Sequence, residues 1–227
     1  MTSPLRLAAL FTLSIILAGC ATKSTEPEAE TIPPEAETTT PTDGTVAPPP
    51  VDVAKLYPLT PEPVLPEPLV NELKKAQALA EQKEYAQANT LLESLRTQYA
   101  QYPHIDLNLA LMEVQQKNYE QARTHVEKAV TVDSQYAPSL NLAGFIYRHL
   151  GLFAEAKQVY EQAIAANPGF KSSYLNLGVL ADLYLQDGPL ALNSFETFQL
   201  INGAEDAQVK NWIVELKRRL PQAEAAQ

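Results

Sequence analysis

From Leu69 to Gly203 apolar residues recur at spacings of three and four, the period of an amphipathic helix, and the pattern returns every thirty-four residues. Small residues stand at Ala76, Ala110, Gly144 and Gly178. Alanines stand at Ala88, Ala122, Ala156 and Ala191, the last step one residue longer. Large apolar side chains follow at Leu92, Val126, Tyr160 and Phe195, a further core column at Leu95, Ala129, Ala163 and Phe198, and aromatics at Tyr85, Tyr119 and Phe153. In each unit the small residue marks a first helix, and the alanine and large residue mark a second. Small positions let two helix backbones approach, and large ones fill the groove beside them. Breaks fall at Leu150-Gly151, Asn167-Pro168-Gly169, Asp187-Gly188-Pro189 and Asn202-Gly203. The pattern predicts eight helices in four antiparallel pairs. A further amphipathic helix over 205–220 has Val209, Trp212, Ile213, Leu216 and Leu220 on one face, with Lys210, Lys217, Arg218 and Arg219 away from it. It reads as a cap, because the last unit of a stack would otherwise leave a core face in water.

The stretch before Leu69 has another texture. Residues 21–68 carry twelve of the eighteen prolines and nine Asp or Glu against Lys23 and Lys55. With little to bury, this stretch predicts a disordered tether, partly polyproline II, reaching about 150 Å fully extended and roughly 40 Å as a coil. Its last part differs, since Leu56-Tyr57-Pro58-Leu59 and Val64-Leu65-Pro66 place apolar side chains among the prolines. That part is expected to dock on the first helices.

The columns resemble the tetratricopeptide repeat (TPR) family. In the third unit Leu140, Ala143-Gly144, Tyr147, Gly151, Ala156, Tyr160, Ala163 and Pro168 follow that family's signature in order and spacing. The fourth unit keeps Tyr174, Leu177-Gly178, Ala191 and Phe195, with Ala181 where an aromatic is usual and one residue inserted near Gly188. In the first two units Lys83 and Lys117 replace a turn glycine, and Glu113 replaces an aromatic. The expected fold class is all-α, a TPR superhelix of four helix-turn-helix units (69–102, 103–136, 137–170, 171–203), a capping helix (204–220) and a short disordered tail (221–227).

The resemblance implies that the first helix of each pair lines a concave groove that takes a peptide or a partner's helix. The groove positions are then Leu73 and Gln77, Leu107, Leu111 and Gln115, Asn141, Phe145, Arg148 and His149, and Leu175, Val179 and Asp182. Chaperone-binding relatives clamp a terminal carboxylate with Lys, Asn and Arg, whereas the matching places here are largely apolar. An amphipathic or extended segment suits such a groove. Periodicity leaves open which of these leucines face the groove and which face the neighbouring unit.

The N-terminus adds a location. Arg6 supplies a positive charge, Leu7 to Leu17 an apolar run too short to span a bilayer, and Leu17-Ala18-Gly19-Cys20 closes it with the only cysteine of the chain. Residues 1–19 read as a signal peptide, and the closing motif resembles the bacterial lipobox. That resemblance implies cleavage before Cys20, an N-acyl and diacylglyceryl anchor on it, and, with Ala21 following, an outer-membrane protein facing the periplasm. An ordinary secretory signal with a chance cysteine is the alternative. With Cys20 acylated no thiol remains for a disulfide, thiolate catalysis or a metal.

A formal charge of -10 and the lack of a basic, aromatic-interleaved stretch argue against nucleic acid. His104, His125 and His149 stand at no metal-ligand spacing, and no phosphate loop, dinucleotide fingerprint or nucleophile motif occurs. We therefore expect no enzyme, no metal, no cofactor beyond the lipid and no small-molecule substrate. The last unit and cap, Tyr174 to Asp187 with Trp212-Ile213 and Leu216 to Leu220, look like repeat lipoproteins found alongside TonB, ExbB and ExbD. This implies a scaffold accessory to TonB-dependent uptake, with TonB, ExbB, ExbD or a receptor as partner. A pilotin-like lipoprotein that assembles a secretin and an adaptor for peptidoglycan enzymes use the same fold and stay open. Replacing the acyl acceptor, Cys20→Ser, should move the protein from the membrane fraction to the soluble fraction on cell fractionation. Retention in the membrane would contradict the lipid anchor.

Overall fold

A computed structural model describes residues 52–220, so the signal peptide, Cys20, most of the tether and the tail lie outside the described residues. A single turn, α1 (Val53–Leu56), precedes the repeats. These are α2 (Glu67–Glu81) with α3 (Tyr85–Leu95), α4 (His104–Gln115) with α5 (Tyr119–Val132), α6 (Ala137–His149) with α7 (Phe153–Ala166), and α8 (Lys171–Leu180) with α9 (Gly188–Asn202). The helix α10 (Ala207–Arg219) closes the stack. Every described element is helical, and each pair packs antiparallel in the manner of tetratricopeptide repeats.

The repeat closes where a small residue on the first helix meets a large one on the second. Ala88, Ala122, Ala156 and Ala191 are fully buried, as are Leu92, Val126, Tyr160 and Phe195. Volume is exchanged across the contact. Alanine on the first helix is matched by Leu92 or Val126, and glycine by Tyr160 or Phe195. A Cβ on Gly178 would come within 2.5 Å of the Phe195 ring, and one on Gly144 would collide with Tyr160. In a close-packed interior such pairs are fixed together, since neither member enlarges without displacing a helix.

The turn between the two helices of a repeat needs one left-handed residue. Gly151 holds it in the third repeat (φ 78°), whereas Lys83 (φ 65°), Lys117 (φ 63°) and Gln186 (φ 55°) hold it in the others. In the fourth repeat the extra residue is absorbed by a π turn over Ala181–Leu185, which carries α8 on before Gln186 reverses the chain. Widening the helix by one residue keeps Ala191 and Phe195 in register with the other columns.

The cap is held by apolar burial and by charge. Val209 and Leu216 are buried against α9, and the Trp212 ring lies 5.2 Å from Phe195. Asp206 caps α10 by accepting from the N–H groups of Gln208 and Val209, both at 3.0 Å. The sequence places Lys217 and Arg219 away from the packed face, yet both reach back to the last repeat, to Glu196 and Asp182, each at 2.6 Å.

Residues 57–65 form an extended strap, and its site differs from the sequence expectation. It crosses the junction of the third and fourth repeats, and only Leu65 reaches the first core cluster. Gly169 N–H donates to the Pro58 carbonyl (3.0 Å), Thr60 N–H to Asn167 Oδ1 (3.1 Å), and Thr60 Oγ1 to the Ala166 carbonyl (2.7 Å). Tyr57 meets Tyr174 edge-on at 6.1 Å. A Cβ on Gly169 would stand 2.8 Å from the Tyr57 carbonyl oxygen, so only glycine admits the strap here. These partners are backbone and corner groups over a hundred residues away, which hydrophobic patterning does not reveal. Farther along, the half-buried Glu62 carboxyl lies beside Tyr136, whose hydroxyl is 3.0 Å from His104 Nε2.

Two outcomes follow from these turns and corners. Lys117→Gly should raise stability by about 0.5–1 kcal/mol and Gly151→Ala should lower it similarly, because a Cβ is strained at positive φ; urea titration of both variants checks this. Burial lowers the His104 pKa from 6.5 to about 4, with Asp133 opposing, so the folded chain binds fewer protons than the unfolded chain between those values. Its contribution is therefore complete above pH 6.5 and is lost as pH falls toward 4, by up to about 3 kcal/mol. Glu62, pushed up by burial, works the other way, so the measurement is the difference between wild type and His104→Gln in urea midpoint at neutral and acidic pH. An equal loss in both proteins would contradict it.

Candidate partner-binding groove

The first helices of the repeats lie side by side, α2 on α4, α4 on α6 and α6 on α8. Helical spacing of three and four sets one row of each helix on the shared face. In α2, Leu73 packs against the first core cluster and Gln77 donates to Glu81 (3.0 Å). In α4, Leu107 and Leu111 are buried and Gln115 is exposed. In α8, Val179 is buried in the last core cluster with Leu175 packed against it, and Asp182, on the π turn that follows, is taken up by Arg219. Leu73, Leu175 and Val179 are thus shared with the repeat core. Between α6 and α8, Asn176 Nδ2 donates to Asn141 Oδ1 at 3.0 Å, a polar rung across two repeats.

The end of α6 is aromatic. His149 stacks on Tyr119, with ring centroids 4.4 Å apart and planes 5° from parallel, and lies 4.5 Å from Phe145. The Arg148 guanidinium sits over Phe145 at 5.2 Å and over Tyr184 at 5.9 Å, while Tyr184 meets Phe153 at 4.7 Å. Burial, and then the Arg148 charge, hold the His149 imidazole below its usual 6.5, so it is neutral near pH 7. Phe145 is only 6% exposed and lies beneath the cluster, whereas Tyr184 on the π turn is 44% exposed and its chain neighbour Leu183 is 62% exposed. The structure therefore brings Phe145, Arg148 and His149 together with three residues that sequence reasoning did not assign to the groove: Tyr119, Phe153 and Tyr184. Tyr119 and Phe153 stood visible as an aromatic column. For Tyr184 the only signal was the one-residue lag of the fourth repeat.

This surface offers side-chain burial and a few hydrogen bonds. Among the described residues no cluster of three His, Cys, Asp or Glu is placed to hold a metal ion. An open trough of about 540 Å³ lies elsewhere, between α2 and α3, lined by Leu79, Ala86, Leu91 and polar neighbours.

Paired antiparallel helices stacked side by side and closed by a cap define a helical-repeat interaction scaffold. More narrowly, residues 72–102 and 102–168 each match the tetratricopeptide repeat. A comparison with proteins of curated function finds no match. Among solved structures the chain is similar to pilF of Pseudomonas aeruginosa, at 19% identity and TM-score 0.59 over 66% of this chain and 67% of that one. It is similar to the MamA RS-1 ArsTM double mutant at 15% identity and TM-score 0.56, over 74% and 85% of the two chains. It also resembles TTC0263, a thermophilic TPR protein of Thermus thermophilus, at 19% identity and TM-score 0.53 over 65% and 80%. At these identities the likeness establishes the fold alone.

Proposed function

We propose that this chain is a lipid-anchored scaffold on the periplasmic side of the outer membrane, which holds protein partners in the groove of its third and fourth repeats. The observation that carries the reading is the groove end itself. Phe145 and Tyr119 pack around His149, and beside them Tyr184, stacked over Arg148, and its chain neighbour Leu183 keep large apolar side chains in water. Exposed apolar groups beside a preformed concave surface suit an amphipathic helix or an extended segment gripped by burial. The location rests on Leu17-Ala18-Gly19-Cys20 and Ala21 in the sequence. Within that setting the partner is a component of a TonB-dependent uptake system, TonB, ExbD or a receptor, a reading supported by the sequence resemblance of the last unit and cap.

The test is photocrosslinking in intact cells from a reactive residue at position 183, followed by mass spectrometry of the captured protein. Capture of TonB, ExbD or a TonB-dependent receptor supports the uptake role; capture of a secretin or of cell-wall enzymes replaces it with secretin assembly or with peptidoglycan maintenance. Leu183→Asp is expected to abolish capture with helical circular dichroism unchanged, because the side chain is mostly in water. Phe145→Asp buries a carboxylate and should also lower the thermal midpoint. Undiminished capture by Leu183→Asp would move the interface off this groove.

A further inference from the structure

We infer that Arg148 is an anion subsite within the groove, receiving one Asp or Glu carboxylate of an otherwise apolar partner segment. The inference rests on the groove reading and names the chemistry of what binds there. Arg148 is 7% exposed, and its Nε is buried without a hydrogen-bond partner. No described carboxylate pairs with it. Asp182 is held by Arg219 at 2.6 Å. Glu127 accepts from Arg123 at 2.7 Å and from the Tyr147 hydroxyl at 3.1 Å. The Tyr160 hydroxyl, which feels the Arg148 charge, is likewise buried with no partner. Two unsatisfied polar groups therefore lie together at the end of α6, where such groups are ordinarily matched.

A buried guanidinium is costly unless it is paired. The rings of Phe145 and Tyr184 and the carbonyl end of α6 offset part of that cost. None of them uses the forked N–H donors, which match a carboxylate. His149 beside it is neutral and adds no second cation, so the subsite suits a single negative charge.

The π turn is the second observation. The first three left-handed turn residues, Lys83, Lys117 and Gly151, repeat at thirty-four, and Gln186 comes one later. That added residue is held in the π conformation, which brings Tyr184 over Arg148 and leaves Leu183 exposed. Such turns are rare and concentrate at functional sites. Here it builds one wall of the cation's enclosure.

Selection of displayed random peptides on the full-length lipidated protein in detergent tests the assignment. Wild type should enrich peptides with one Asp or Glu flanked by apolar residues. Exchanging that acid for its amide should weaken binding to wild type about tenfold and leave binding to Arg148→Gln unchanged. Arg148→Lys should retain part of the preference. Arg148→Gln should melt no earlier than wild type, since it removes a buried unpaired charge, and a clearly lower midpoint would make Arg148 a structural group and overturn the inference. Equal affinity of the acid and amide peptides for wild type would also overturn it while leaving the groove standing. Peptide binding that survives Leu183→Asp, or a selection that enriches nothing, would remove the groove reading and the subsite together.

Discussion

Everything in this structure depends on how closely two helices approach within one repeat. The distance is set by a pair of side chains, and the four repeats solve it in two ways. The first two combine alanine with Leu92 or Val126, and the last two combine glycine with Tyr160 or Phe195. The glycine solution lets an aromatic ring lie directly on the first helix, which the alanine solution forbids. It also places a phenol beside the end of α6, where Tyr160 meets the environment of Arg148. The core pair and the aromatic cluster on α6 are therefore parts of one choice, because the residue that fills the repeat interior also lies under the end of α6.

The strap extends that dependence to the chain before the repeats. It adds no helix, but it links the corner at Asn167 and Gly169 with Tyr136 and, through Leu65, with the first core cluster. A repeat stack is held mainly by contacts between neighbours, so its ends and junctions open more easily than its middle. A segment bound across several corners couples units that otherwise do not touch. It also means that the chain enters the stack beside the fourth repeat, where Tyr57 packs with Tyr174, and runs back to α2 before the first repeat starts.

Much of this was legible in the sequence because the fold repeats. The alanine and large columns are fully buried where their period places them, and Gly151 holds the positive φ its turn position requires. Lys83, Lys117 and Gln186 adopt that same conformation without being glycine, since the packed helices on either side fix the turn more strongly than the turn residue's own preference. Three features escaped the period. The strap binds through backbone groups, Asn167 and Gly169, whose partners are remote in sequence. Lys217 and Arg219 read as solvated charges, and their acids on the π turn and α9 are visible only once α10 is docked. The groove positions could not be separated from core positions on α2 and α8, and Leu73, Leu175 and Val179 prove to be shared with the core because the first helices pack against one another.

The single break in the period is the most informative part of the chain. An insertion in a repeat is tolerated cheaply in a loop, where it changes nothing in register. This one is carried inside a helix, as a π turn that retains Ala181 in the core and turns Leu183 and Tyr184 outward. A helix accepts that poorer geometry only where the surrounding packing holds it. The packing that does so is Tyr184 between Phe153 and Arg148, together with Asp182 fixed by the cap through Arg219. The cap therefore has a second task beyond covering the last core face. By engaging Asp182 it fixes the start of the π turn, whose later residue Tyr184 lies against Phe153 and Arg148, so the cap helps set the surroundings of that cation.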